Sequence, residues 1–423
     1  MKSKLFGENT PLPTEQPQQQ STKYARLPNG MIINHDVNEL KRQNDMLAKI
    51  NAYVAGNKDK NGEIHMPFGM IDSKSMAEFY SDLFSYAPCI LKDAIHKGDE
   101  FERFKLVLKF AISILHNLTF QDVFQKKPLM PILGETYEGH YIYQDIAQVF
   151  MESDYVEFDY VDLLTLRDVI VRKEQATTYI QIEGHGYEIS GNLTYDSRWK
   201  GNNLVIALPG HLRVKFVDLE GQDQEVEIQL PEYVLSGYYY VGKPSMILIN
   251  GPLVVVDKKN RIKSVVLFNG LTKDSFSLLS SELTPNTKNS MQMVQGLIYK
   301  YNHARVEQYI EKGRTFDIKT LKDLYDVEYK LERIQGNAID YYEIEEVPQS
   351  NWKHLQLAEP IPSELALPSD IRFREDLIWM KRGDKGKGKV WKGMMEEQRV
   401  KDMGQLGRKS DRGQLRKKPK RVY

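Results

Sequence analysis

The chain has 423 residues, of which 41% are hydrophobic, with 58 Lys or Arg balanced by 58 Asp or Glu. That is enough apolar material for one large core or two ordinary ones, which excludes a mainly disordered protein. A formal net charge of zero excludes a nucleic-acid binder that works through one uniformly positive surface.

Residues 1–35 are predicted to be a disordered leader, polar and punctuated by Pro11, Pro13 and Pro17, without the apolar core of a signal peptide. Val37, Leu40, Met46, Leu47, Ile50 and Val54 form an interrupted apolar face, so 36–56 reads as a modest amphipathic helix. The span 74–120 carries the clearest helical signal. There Phe104, Leu108, Ile112 and Leu115 recur at three- and four-residue steps and predict a buried face. Lys126 and Lys127 then lead into a proline-bracketed turn, Pro128 to Pro131, that feeds aromatic sequence.

Beyond Pro131 the texture becomes that of strands. Segments at 178–182, 186–190, 204–208, 212–216, 226–230, 237–241, 246–249, 253–256 and 262–268 are short, β-branched or aromatic, and separated by turn residues. Leu212, Val214 and Phe216 alternate with Arg213 and Lys215, giving one buried and one wet face. So many strands predict a mainly β fold with some α, built on a large antiparallel sheet that closes or folds on itself over 130–310. A barrel of more than about eight strands is wider than its own side chains fill. Strand count alone leaves a hollow barrel and a filled sandwich both open.

Residues 311–403 are expected to form a C-terminal helical subdomain, with 320–335 mixed and a charged helix over 389–403. A basic tail, 404–423, follows. From Lys381 to Tyr423 there are 16 Lys or Arg against 5 Asp or Glu, which suits an anionic lipid surface, RNA, or plain solvation. No window approaches eighteen uninterrupted apolar residues, so no membrane span is predicted. Cys89 is the one cysteine, which excludes an internal disulfide and an all-cysteine metal site and suits a reducing compartment, the cytosol.

Signs of catalysis are absent. Gly383 to Lys389 fits G-x-x-x-x-G-K, but Val390 stands where a magnesium-binding Ser or Thr would be, so it reads as a flexible loop entering the last helix. His185 reads as a hairpin-turn residue, and Cys89 as an inert thiol in apolar helical surroundings. No catalytic residue, metal site or cofactor is expected, and the protein is not read as an enzyme.

Three segments in order resemble the oxysterol-binding protein family. Lys127-Pro-Leu-Met-Pro-Ile-Leu-Gly134-Glu135-Thr136-Tyr-Glu138 is similar to K-P-x-N-P-x-L-G-E-T-x-E. Leu365 to Asp376 resembles L-P-P-T-D-S-R-x-R-P-D, and the run from Trp391 to Arg399 resembles the closing K-x-x-L-E-E-x-Q-R helix. The resemblance spans roughly 60–410 and implies a nearly closed β-barrel around a lipid tunnel, with an N-terminal helical layer and a lid at 36–56. It further implies that Lys126 and Lys127, with Lys392, Glu396 and Arg399 on one face of the last helix, meet a phosphoinositide head group. The chain departs from the pattern in three places. The E-Q-V-S-H-H-P-P stretch is absent, the corresponding segment running Gln148 to Asp159. Met130 replaces Asn, and Val400 falls where a second base would be.

The expected function is therefore lipid binding and non-vesicular transfer of a sterol or phospholipid, with phosphatidylinositol 4-phosphate as the exchanged lipid. The protein would act as a monomer that touches anionic membranes transiently from the cytosol and needs no nucleic acid. A lipid sensor or membrane-contact adaptor that has lost phosphoinositide exchange is the alternative, and RNA association through the tail is a third.

Overall fold

Helices gather toward the two ends of the described chain and strands fill its middle. In the computed structural model the described residues are 24–26, 32–34, 71–120, 127–143, 145–161, 170–200, 203–216, 223–236, 246–268, 293–301, 327–337, 341–345, 347–348 and 359–410. The expected lid at 36–56 and the strand at 237–241 lie outside them. In chain order come β1 (Tyr24–Arg26), β2 (Ile32–Asn34), β3 (Ile71–Ser75), α1 (Met76–Leu83), α2 (Ala87–Ile95), α3 (Glu100–Phe120) and β4 (Lys127–Leu129). Then follow β5 (Thr136–Tyr143), β6 (Asp145–Val161), β7 (Ile170–Gly184), β8 (Tyr187–Thr194), β9 (Asp196–Lys200), β10 (Asn203–Ala207), β11 (Gly210–Phe216), β12 (Gln224–Gln229), β13 (Glu232–Ser236) and β14 (Met246–Asn250). The last strands are β15 (Pro252–Asp257), β16 (Ile262–Phe268), β17 (Met293–Tyr301), β18 (Val327–Asn337), β19 (Tyr341–Ile344), β20 (Val347–Pro348) and β21 (Glu359–Pro360). A 3-10 turn (Ile371–Phe373), α4 (Glu375–Lys381) and α5 (Lys385–Ser410) complete the described elements.

Thirteen described strands form one antiparallel sheet in the order β20-β19-β18-β17-β16-β15-β12-β11-β8-β7-β6-β5-β21. It is a meander with two excursions. The pairs β9-β10 and β13-β14 leave it to build a four-stranded sheet, ordered β14-β13-β10-β9. Among the described residues the large sheet does not close through hydrogen bonds. Its terminal strands, β20 and β21, are two residues long, and each contains a proline.

The alternation read from the sequence sets the register. Leu212, Val214 and Phe216 are buried while Arg213 and Lys215 stay partly exposed. Cross-strand partners repeat the pattern, with Leu212 opposite Ile228 and Val214 opposite Val226. Each hydrophobic set therefore shares one face with its neighbour's. His185 does lie in the turn between β7 and β8, where Gly186 takes a positive φ of 77°.

Three helices cover one stretch of this sheet. Helix α1 packs on β5 and β6, α2 on β5, β6 and β8, and α3 on β12, β15 and β16. The layer thus reaches across strands from β5 to β16 in the sheet order. Periodicity predicts one buried face on α3, yet every residue from Phe110 to Leu118 is buried, because the sheet lies on one side and the other two helices on the other. A helix buried all round must also satisfy its polar residues internally. Asn117 donates to the Asp82 carbonyl at 3.2 Å, the Leu83 carbonyl at 3.0 Å and Ser85 Oγ at 3.2 Å, capping the last carbonyls of α1. Tyr141 donates to the Ser81 carbonyl at 2.5 Å, fixing β5 to the same helix end.

Several expected boundaries move. Among the described residues strands occur past 310, from Val327 to Pro360, and helix from Ile371 onward. Strand β18 was hidden because its alternation slips. Leu331 has no cross-strand partner where the register with β17 shifts, and the next buried side chain is Ile334. The expected leader contains the β1–β2 hairpin, with Pro28, Asn29 and Gly30 as turn-forming sequence between the strands. The Gly383–Lys389 loop is mostly helix. Lys381 ends α4, Gly383 takes a positive φ of 77°, and Asp384 accepts from Lys387 N at 3.0 Å to start α5. Helix α5 extends to Ser410, into the expected tail.

Replacing Asn117 by Ala strips three acceptors of a buried donor and is expected to lower stability by about 1–3 kcal/mol. Urea unfolding followed by circular dichroism measures the loss, and an unchanged midpoint would refute the capping role.

Candidate functional site

Two distant segments meet at the turn before β5. Thr136 N donates to the Ser369 carbonyl at 3.0 Å, the Thr136 and Ser369 hydroxyls are 2.9 Å apart, and Thr136 forms a parallel bridge with Asp370. The turn is also tied to β6. Gly134 N donates to the Ser153 carbonyl at 2.9 Å and Ser153 N to the Glu135 carbonyl at 3.0 Å. Gly134 has a positive φ of 77°, a conformation that a side chain would strain.

The junction is held by a buried cation between two buried acids. Arg374 reaches Glu135 Oε2 at 2.5 Å and the Met130 carbonyl at 3.0 Å through Nη1. Its Nε and Nη2 bind both oxygens of Asp376 at 2.9 Å, the two-pronged geometry that suits guanidinium and carboxylate. Burial raises the Glu135 carboxyl above its ordinary range against the pull of Arg374. Burial works against the Arg374 charge as well, yet Glu135 and Asp376 hold that guanidinium above its ordinary range. Beside it, Arg372 binds Asp370 through Nε at 2.8 Å and the Ile361 carbonyl at 2.5 Å. The sequence quotes Glu135, Arg372, Arg374 and Asp376 only as parts of matching segments. Their role in the structure is to join those segments.

The next layer leads to the last helix. Ser75 and Glu78 form a reciprocal cap at the start of α1, with Ser75 N to Glu78 Oε2 at 2.8 Å and Glu78 N to Ser75 Oγ at 3.1 Å. Lys381, the last residue of α4, binds Glu78 Oε1 at 2.6 Å. The spacing Ser-x-x-Glu signals this cap in the sequence, although its partner on α4 leaves no such trace. Helix α4 packs on β3 and α5, while β3 pairs in parallel with β4. The indole of Trp379 has Lys387 Nζ at 3.9 Å and the Arg382 guanidinium at 5.1 Å from its centroid, so cation–π contacts fix the α4–α5 corner.

Of the residues proposed for a head-group site, Lys126 lies outside the described residues. Lys127 opens β4, with its ammonium 5.8 Å from the centroid of the Tyr195 ring. Lys392 is buried on α5 and paired with Glu396 one turn on. Arg399 lies on the same, less exposed face, together with Gly388, Trp391 and Met395. Its Nε is buried without a hydrogen-bond partner among the described residues. Lys392, Glu396 and Arg399 thus share one face of α5, while Lys127 stands on β4 beside Tyr195. The Gln148–Asp159 segment lies within β6, paired along its length with β7. No group of metal-binding side chains occurs among the described residues.

A family model described as oxysterol-binding protein matches residues 57–414. Oxysterol-binding protein 9 of Dictyostelium discoideum is 22% identical over 338 residues, covering 78% of this chain and 68% of that protein. Oxysterol-binding protein 10 of the same organism is 22% identical over 236 residues, covering 55% of each. The match to mouse (Mus musculus) oxysterol-binding protein-related protein 5 is 24% identical over 204 residues and covers 48% of this chain but only 21% of that protein. In fold the chain is similar to the Osh3 ORD of Saccharomyces cerevisiae solved with PI(4)P, with TM-score 0.57, 19% identity, and 85% of this chain and 84% of that one covered. It is equally similar to the Osh1 ORD domain solved with ergosterol, with TM-score 0.57, 15% identity, and coverage of 88% and 89%.

Arg374→Leu leaves two buried carboxylates facing each other and is expected to cost about 3–5 kcal/mol in denaturant unfolding. Glu135→Gln should cost much less, because Asp376 retains the guanidinium. The pH dependence has a definite sign. With its folded value raised, Glu135 holds a proton in the native state that the unfolded chain releases, so acidification from the raised value down to the unfolded one adds stability. Stability–pH curves of the wild type and Glu135→Gln should differ by this contribution, and parallel curves would refute it.

Proposed function

Because this chain belongs to the oxysterol-binding protein family, we propose that it binds a sterol or a phospholipid inside a curled β-sheet and transfers it between membranes. The observation that carries the reading is a short connection. Strands β20 and β21 stand at opposite ends of the thirteen-stranded sheet, which laid flat would hold them roughly 58 Å apart at ~4.8 Å per strand. The chain between Pro348 and Glu359 spans at most about 40 Å. A flat sheet is therefore ruled out, and this curvature supports the reading of a sheet that curls toward a nearly closed barrel. The layer of α1 to α3 on one face and the burial of α3 from Phe110 to Leu118 fit a helical filling inside such a curl.

Apolar cargo is favoured because burial is worth roughly 25 cal/mol per Å² of apolar surface. Relatives of similar fold were solved with PI(4)P, with ergosterol and with cholesterol, which supports these ligand classes for this chain. The head group of a phosphoinositide would meet Lys126 and Lys127 on one side and Lys392 and Arg399 on the other, with Glu396 orienting Lys392. The lipid-binding unit spans the matched residues. No described helix is long and apolar enough to cross a membrane, and the protein would visit membranes peripherally, as a binder rather than a catalyst. A second reading, a sensor or contact adaptor that does not transfer lipid, is favoured by one observation. No two of the nine histidines are adjacent, so the family's histidine pair has no counterpart.

Native mass spectrometry after incubation with vesicles containing sterol, phosphatidylserine and phosphatidylinositol 4-phosphate should find a one-to-one lipid complex. A protein that recovers no lipid would refute the carrier. Vesicle-to-vesicle transfer assays separate carrier from adaptor. Lys392→Ala should weaken phosphoinositide capture about tenfold, the value of one charge-assisted hydrogen bond, and leave sterol recovery unchanged.

A further inference from the structure

Helix α5 opens against its own electrostatics. Its first turn holds no acidic residue, and Lys385, Lys387 and Lys389 stand at or just after it, where the helix dipole favours negative charge. Two lysines of this region are accounted for within the fold. Lys381 binds Glu78, and Lys387 lies 3.9 Å from Asp384 Oδ2 and 3.9 Å from the centroid of the Trp379 ring. Lys385 and Lys389 are exposed, and their side chains make no ion pair or hydrogen bond among the described residues. They recur with Lys392, Glu396 and Arg399 at steps of four, three, four and three, so all five line one side of the helix. The line runs from exposed Lys385 and Lys389 to Lys392, which is buried. Lys392 is already paired with Glu396, which leaves three cations, Lys385, Lys389 and Arg399, with no acid on the line to neutralise them. Like charges at these steps cost helix stability, so folding alone does not account for the lysines.

We propose that Lys385 and Lys389 extend the head-group site outward and select inositol head groups that carry a second ring phosphate. The inference rests on the head-group reading of Lys392, Glu396 and Arg399 and names the charge class of its ligand. Each phosphate monoester carries roughly −1.5 to −2 at neutral pH. Arg399, whose Nε is buried without a partner among the described residues, and Lys392, shared with Glu396, serve the first. A second needs further cations within the width of one sugar ring. Side chains three or four residues apart on a helix stand about 5–6 Å from each other at Cβ, so Lys389 is placed to meet the next phosphate along from Lys392, with Lys385 on its far side. Ammonium groups on flexible, exposed stems match this task, because they can close on a ligand that arrives from solvent. A phosphoinositide lipid and a soluble inositol polyphosphate present the same chemistry.

Titration calorimetry of the full chain with soluble inositol bisphosphate and inositol trisphosphate, the head groups of a mono- and a bisphosphorylated phosphatidylinositol, tests this. Wild type should bind the trisphosphate roughly tenfold more tightly, the value of one added charge-assisted contact. The double change K385A/K389A should lose that preference and keep its affinity for the bisphosphate. Both positions are exposed, and removing lysine from the start of a helix should hold or raise the thermal midpoint, so the variant is read as a folded protein. Lys401→Ala, on the opposite side of α5, controls for charge alone and should leave the preference intact. Equal affinity of the wild type for the two ligands would overturn the proposal, as would a preference that survives in K385A/K389A or falls equally in Lys401→Ala. If Lys392→Ala weakens both ligands and K385A/K389A weakens neither, the head-group site stands and the selectivity falls. If K385A/K389A removes the preference while Lys392→Ala is silent, selection by the outer lysines stands and the head-group reading falls. Native mass spectrometry with vesicles containing both lipids identifies the source. Recovery of the bisphosphorylated lipid assigns the lipid, and binding in the calorimeter alone assigns the soluble inositol phosphate.

Discussion

One guanidinium, that of Arg374, has to satisfy two buried carboxylates and a backbone carbonyl at once. The position of the C-terminal helices follows from that constraint. Glu135 sits at the entry to the first meander strand and Asp376 in the first turn of α4, so binding both to one cation fixes the start of the sheet against the start of the last helical pair. The burden is uneven. Arg374 gains from both acids, whereas Glu135 is raised by a burial that its half-share of a cation does not offset. A buried ion group of this kind adds little net stability over an apolar replacement, but it is unforgiving of partial loss. Its value lies in fixing register between segments some 240 residues apart in sequence.

From this junction the remaining geometry is relayed by short steps. Glu78 serves both the cap of α1 and Lys381 of α4, so the helical layer on the sheet and the C-terminal pair share a carboxylate. The α4–α5 corner around Trp379 then sets the direction of α5, and with it the face that holds Lys392, Glu396 and Arg399. Interactions that look structural thus set the direction of the helix that carries these side chains.

The strand-rich middle was legible because its signal is repetitive. Leu212, Val214 and Phe216 alternate with charged residues, and their partners on β12 do the same. Other elements gave weaker signals. In β18 the unpaired Leu331 breaks the alternation, and the surrounding Glu and Lys residues imitate a helix. The all-round burial of α3 from Phe110 to Leu118 could not be read from Phe104, Leu108, Ile112 and Leu115, since it depends on elements that converge only in three dimensions. Likewise Lys392 and Glu396 form a visible four-residue pair, whereas nothing in the spacing of Glu135 and Arg374 announces that they touch. Segment resemblance located those residues without revealing their job, and it drew attention to the lysines of the turn in place of the acid beside them.

The two-residue strands at either end of the large sheet have a consequence for molecules in a crowd. Pro348 and Pro360 each lack the amide hydrogen that an incoming strand would require, and two residues offer too short a ladder to template one. Between two copies, edge-to-edge pairing through these described strands is thereby disfavoured.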